Sequence, residues 1–174
     1  MSDTRRERLA ALFDAHEDRL YRLARRLCRN AGDAGDLVQE TFLRAARSWT
    51  SVPAGASKEE AWLVRVLINI RRDEWRRAAV RQRSAGALRT VEAGGANIES
   101  ALIAKQAVWS ALDTLHPRRR AIVILCELEG KSPAAIAALL GISGVTVRWH
   151  LSMARRELKR ALETYLEKPH DDVA

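Results

Sequence analysis

Apolar residues recur at intervals of three and four through almost the whole chain, and no stretch alternates Val, Ile, Thr or aromatic residues at every second position. That pattern predicts an all-α protein. Leu9, Leu12, Phe13, His16, Leu20, Leu23 and Leu27 trace one face of a long first helix ending near Asn30 to Gly32, with His16 a packed core residue. Asp33 then precedes a second helix, Ala34 to about Arg47, and RSWTSVPAGAS has the Ser, Pro and Gly content of a loop. A third helix runs from about Lys58 to Arg83.

Residues 84–97 are mostly small and glycine-bearing, which predicts a flexible linker between two small helical domains, 1–83 and 98–168. The second domain opens with a helix from Ile98 to Leu115, with Ile98, Leu102, Trp109 and Leu112 along one side. The next helix begins at Pro117 and is closed by Gly130; Ile122, Leu125, Cys126 and Glu129 mark it as mostly apolar and wetted on one part only. The tail, EKPHDDVA, is expected to fray.

Residues 132–156 have the form of a helix-turn-helix. Ser132 can cap a helix whose first residue is Pro133, because its hydroxyl accepts a free N–H while the missing N–H of proline costs nothing there. Gly141 ends that helix and Ser143 caps the next. Val147, Leu151, Ala154 and Leu158 form a stripe facing the first helix, leaving Val145, Trp149, Ser152, Met153 and Arg156 on the opposite side with Thr146 and Arg148 on its flanks. A hairpin in any helical bundle shows such a stripe; the basic flank favours a nucleic-acid groove.

The net charge of +8 suits a polyanionic partner, whether nucleic acid or an acidic membrane surface. The N-terminal segment lacks the apolar core of a signal peptide and no run approaches the ~18 apolar residues of a membrane span, so a cytoplasmic location is expected. Cys28 and Cys126 are distant and sit in apolar patterns, and His16, His116, His150 and His170 share no ligand spacing. Neither a metal nor a cofactor is expected, and no nucleophile–base pair or phosphate loop suggests catalysis.

Residues 1–84 hold 18 Lys and Arg against 12 Asp and Glu, whereas 98–174 hold 11 against 9, so the larger positive surplus lies outside the helix-turn-helix half. A second nucleic-acid surface follows. The third helix supplies it: Arg65, Arg72, Arg76 and Arg83 fall on one side and form a rail suited to phosphates, the alternative being a solvated charged face. Trp62 and Trp75 can stack on bases or fill core. In the second helix Leu37, Val38, Thr41, Phe42 and Ala45 form the inner face, and Asp36, Gln39, Glu40 and Leu43 an acidic outer face with an apolar centre. Such a patch repels DNA and suits a basic protein partner.

Taken in order, these segments resemble the extracytoplasmic-function sigma factors, the minimal two-domain class of bacterial RNA polymerase specificity subunits. DAGDLVQETFLRA resembles the family's core-polymerase-binding segment, AWLVRVLINIRRDEWRR its minus-ten helix, and LHPRRRAIVILCELEGKSPAAIAALLGISGVTVRWHLSMARREL its minus-thirty-five reader. The resemblance implies that Asp36, Leu37, Gln39, Glu40 and Leu43 bind core RNA polymerase. It implies that Asn69, Arg72 and Arg76, with Trp49 in the loop from Trp49 to Ser57 that holds a flipped-out base, meet promoter DNA at the minus-ten element. Thr146, Arg148, Trp149, Ser152, Met153 and Arg156 then lie over the minus-thirty-five major groove. An anti-sigma factor, often membrane-bound in this family, is the expected inhibitor.

Trp149 and Met153 depart from the small polar or basic residues more usual there; with Val145 they make an apolar stripe that contacts thymine methyls or is covered by an inhibitory partner. Two rival readings remain. TVRWHLSMARREL also resembles the output helix of response regulators, although residues 1–84 lack the alternating strands of a receiver. A helical adaptor docking through DLVQETF is the other.

Overall fold

The computed structural model describes residues 3–85 and 100–166, with side chains described for 4–81 and 106–164. Among the described residues there are helices and no strands. Seven α-helices follow one another: α1 (Asp3–Leu27), α2 (Ala31–Arg47), α3 (Ala56–Ala85), α4 (Ser100–Thr114), α5 (Pro117–Val123), α6 (Pro133–Leu140) and α7 (Gly144–Leu166). A 3₁₀ turn, Trp49–Ser51, precedes α3, and a π-helical turn, Ile124–Leu128, continues α5.

Several boundaries differ from the sequence expectations. The second helix starts three residues earlier than expected. Asn30, not Asp33, is its cap: the Asn30 side-chain oxygen accepts from the Asp33 N–H at 2.7 Å, so Asp33 sits inside the first turn, where a carboxylate meets the positive end of the helix. Pro117 does open a helix, but its regular part stops at Val123 and the chain widens by one residue per turn, with the Glu129 N–H donating to the Ile124 carbonyl. Residues 84–85 continue α3. The rest of the expected linker, the side chains of Arg83, Ile98 and Leu102, and the tail from 167 lie outside the described residues.

α1, α2 and α3 pack on one another around Leu20, Leu23, Leu37, Leu63 and Leu67, while α7 lies against α4, α5 and α6 through Val147, Leu151 and Ala154. His16 is buried as expected, with Nε2 3.4 Å from Glu59 Oε2. Phe13 is not buried; it is 43% exposed and leans on Phe42, ring centroids 4.8 Å apart. In α4 the buried side is Ala107 and Ala111, continued by Leu115 just past its end, while Trp109 is half-buried beneath the Arg120 guanidinium at 5.1 Å.

The two groups of helices do not stand apart. α3 packs against α5 and α6, α1 also touches α5, and one core cluster runs from Leu20 and Ile68 through Ile122 and Leu125 to Ile136.

Candidate protein-docking and nucleic-acid surfaces

The outer face of α2 forms as its spacing requires. Asp36, Gln39, Glu40 and Leu43 lie three or four residues apart on one side, with Asp36 and Gln39 exposed and Leu43 43% exposed. Glu40 accepts from Arg44 at 3.2 Å, one turn on, and lies 4.0 Å from Arg47. Leu37 does not belong to this face: at 1% exposure it is a core residue, because it points to the side that α2 presents to α1 and α3.

Beside this face α1 and α2 leave a groove of about 670 Å³, lined by Leu9, Phe13, Tyr21, Val38, Phe42 and Leu43. An apolar groove with Phe13 and Leu43 exposed at its mouth and Val38 and Phe42 buried at its base, rimmed by Glu17 and Gln39, fits a protein partner better than a polyanion. Sequence reasoning missed Phe13 and Tyr21 here, because periodicity reports that a residue is apolar and not whether its neighbour covers it.

On α3 the residues Arg65, Ile68, Arg72 and Trp75 share a face through spacings of three and four. Arg72 is held by its neighbour Asp73 at 3.2 Å, Arg71 pairs with Glu74 at 3.3 Å, Asn69 is half-buried and Arg76 is exposed. Trp62 packs partly against the core, so of its two open readings the packing one holds. Trp75 meets the His116 ring edge-on at 5.0 Å. Trp49, in the 3₁₀ turn, is half-buried with the Arg8 guanidinium 5.1 Å over its ring.

The helix-turn-helix is built by its caps. Ser132 Oγ accepts from the Ala135 N–H at 3.2 Å, Gly141 adopts φ 65° to leave α6, and Ser143 Oγ accepts from the Thr146 N–H at 3.1 Å. Val147, Leu151 and Ala154 are buried against the partner helices, which turns Val145 (68% exposed), Trp149 (52%), Ser152 and Arg156 outward. Arg148 is exposed, and Met153 is half-buried. The Thr146 hydroxyl is 2.8 Å from Ser143 Oγ, a second hydrogen bond beside the cap that fixes its orientation.

The margin of this helix is strongly positive. Burial, then the guanidinium groups of Arg119 and Arg118 followed by those of Arg72 and Arg76, hold His116 below the usual imidazole range; burial, Arg118 and Arg119 do the same to His150. Both rings are therefore biased to the neutral form, leaving the arginines as the charge-bearing groups.

Comparison with known proteins matches residues 12–81 to Sigma-70 region 2 and residues 105–158 to Sigma-70, region 4, in that order along the chain. The chain is 34% identical over 157 residues to the ECF RNA polymerase sigma factor SigL of Mycobacterium tuberculosis, covering 89% of each. The chain belongs to the ECF RNA polymerase sigma factors. It is also 37% identical to SigE of Mycolicibacterium smegmatis over 94% of its own length, spanning 63% of that longer relative. Among solved structures it is similar to the sigma factor RpoE of Bartonella quintana, determined in complex with the anti-sigma factor NepR, at TM-score 0.57 and 26% identity over 91% of this chain and 96% of that one. The fold also matches CnrH at TM-score 0.58 and 24% identity, with 91% and 90% covered.

The sigma-family match spans both surfaces: α1–α2 and α3 lie in region 2, and α6–α7 in region 4. Among the described residues no single helix is long and apolar enough to cross a membrane.

Proposed function

We propose that this sigma factor docks on core RNA polymerase through Asp36, Gln39, Glu40 and Leu43 on α2, together with the adjoining apolar groove, and directs promoter-specific initiation. α3 and the Trp49 turn then meet the minus-ten element, and the outward face of α7 reads the minus-thirty-five element. The chain itself performs no covalent chemistry; it supplies placement, and the polymerase supplies the reaction. The DNA it reads is chromosomal, so its working place is the cytoplasm. An anti-sigma factor restrains it, a reading supported by the likeness to RpoE, whose solved structure contains one.

The observation that carries the proposal is the side-by-side placement of an acidic, apolar-centred helix face and a separate arginine-bearing helix within one sigma-family match. The experiment is run-off transcription with purified core polymerase on a promoter library. Added protein should produce discrete start sites, and Leu43→Glu should abolish them by placing a charge in the groove. Transcripts unchanged by the added protein would overturn the reading.

A further inference from the structure

The turn that joins α2 to α3 is held at both ends by α1, the helix at the start of the chain. Arg5, Arg8, Leu12, His16 and Arg19 follow one another at spacings of three and four, so they share one side of α1. Leu12 and His16 are buried on that side. The polar members reach the two borders of the turn.

At the first border Arg5 donates to the Ala46 carbonyl in the last turn of α2, and the Arg8 guanidinium lies 5.1 Å over the Trp49 ring. Trp49 and Val52 pack partly against the core beneath. At the second border His16 Nε2 lies 3.4 Å from Glu59 Oε2, and the other oxygen of Glu59 accepts from the Gly55 N–H at 3.3 Å. Gly55 has φ 103°, and its carbonyl accepts from the N–H groups of Lys58 and Glu59 at 2.9 Å, which starts α3. Arg19 adds a bond to Glu60 at 3.2 Å.

Between the two borders Thr50, Ser51 and Ala54 are exposed. A connecting segment of this kind is free to adopt several shapes unless side chains outside it fix one. That matters for reading a base, because a mobile surface adapts to each base in turn and discriminates little, whereas a fixed one spends none of its binding energy on ordering.

We propose that α1 is a splint for the base-reading turn: Arg8, acting on Trp49, and His16, acting through Glu59 on Gly55, are positioning residues that set which base is accepted at the minus-ten element, without contacting it themselves. The inference rests on the minus-ten role of the Trp49 turn.

The test uses holoenzyme assembled from core polymerase and the full chain, transcribing a promoter library randomised across the minus-ten element. Arg8 is exposed, so replacing it leaves the fold intact. Arg8→Met keeps the aliphatic stem and removes the charge. It should flatten preference about two- to fivefold at the base held by the turn, the range of an exposed cation–π contact, and leave other positions as in wild type. Arg8→Lys keeps a cation over the ring and should restore the profile. Glu59→Ala should flatten the same position, and Glu59→Gln, which retains an oxygen for the Gly55 N–H, should restore it. His16→Leu fills the buried space without a partner for Glu59 and should act as Glu59→Ala does.

A direct phosphate contact by Arg8 predicts instead an even loss over all sequences with a shallower salt dependence. A role in stability alone predicts a lower melting temperature with an unchanged base profile. Either result overturns the splint, as does flattening at different positions in the Arg8 and Glu59 variants. A Trp49→Ala holoenzyme that matches wild type at every minus-ten position would instead overturn the promoter role of the turn on which the splint rests.

Discussion

The guanidinium of Arg119 lies over the indole of Trp149, 5.4 Å from the ring centroid, and Arg119 is itself ion-paired with Glu157. The half-exposed indole on the outward face of α7 is thus held from α5, with the His150 ring edge-on to it at 4.9 Å. A ring fixed in this way presents a defined apolar edge, which suits a thymine methyl better than a mobile side chain would.

Trp149→Ala should therefore change preference at one or two minus-thirty-five positions while leaving binding elsewhere intact, with about 1–3 kcal/mol lost per position read. Arg119→Ala should weaken discrimination at the same positions by about 0.5–1 kcal/mol, the scale of an exposed cation–π contact. Selection from a randomised minus-thirty-five library measures both. An unchanged profile for Trp149→Ala leaves no reading role for the indole, and changes at different positions for Arg119→Ala rule out its acting through Trp149.

Leu37 and Leu43, on one helix, separate folding from docking. Leu37 is enclosed among α1, α2 and α3, so Leu37→Ala should cost about 2–5 kcal/mol of stability. Leu43 is 43% exposed at the groove, so Leu43→Ala should change stability by less than about 0.5 kcal/mol and weaken polymerase binding. Urea unfolding and a pull-down with core polymerase give the two measurements; a Leu43→Ala protein that unfolds early and binds normally would reverse the assignment.

What sequence reasoning read correctly is what local periodicity encodes. The inner stripes of α2 and α7 appear as spacings of three and four, and the caps at Ser132 and Ser143 appear because a hydroxyl two or three residues before an apolar run has one nearby use. Asn30 and Asp33 are both good caps, and the choice depends on which backbone N–H is reached, a matter of geometry. The π-helical turn left no trace because its apolar residues fit an α-helical stripe equally well. By its spacing Glu129 belongs to the wetted part of an apolar helix; its partner Arg19 is 110 residues away, and no periodic signal connects them. The docking of α3 against α5 and α6 was hidden for the same reason, so the arginine rail looked like an open surface.

Gly141 is the one residue of the helix-turn-helix turn whose backbone demands glycine. Its φ of 65° strains any other side chain, and a Cβ there would lie 3.2 Å from Arg65 Nη1. Gly141→Ala should destabilise the protein by about 1–2 kcal/mol, most of it backbone strain because the arginine end can move. Thermal unfolding of Gly141→Ala beside Ser143→Ala measures it; the cap loss in the latter should cost about 0.5–2 kcal/mol. A Gly141→Ala protein as stable as wild type would mean that the turn relaxes into another conformation.

His116 should make the contact between the two groups of helices acid-sensitive. Its ring packs on Trp75 of α3 and faces Arg72 and Arg76 of that helix, Arg118 and Arg119 of α5, and His150 of α7. Burial, then the four arginines, lower its pKa below the ordinary 6.5, so the unfolded chain binds more protons than the folded one in the window just below that value. The contribution of His116 to the packed arrangement is therefore complete above pH 6.5 and is lost as the pH falls through 6.5 toward the lowered value. Small-angle scattering at pH 7.5 and at pH 5.5 should show expansion in acid. His116→Gln keeps a polar side chain without the titration and should reduce the difference between the two pH values. Expansion of equal size in His116→Gln would assign the acid response to another group, and no expansion in the wild type would mean that the packing of His116 on Trp75 is not pH-dependent.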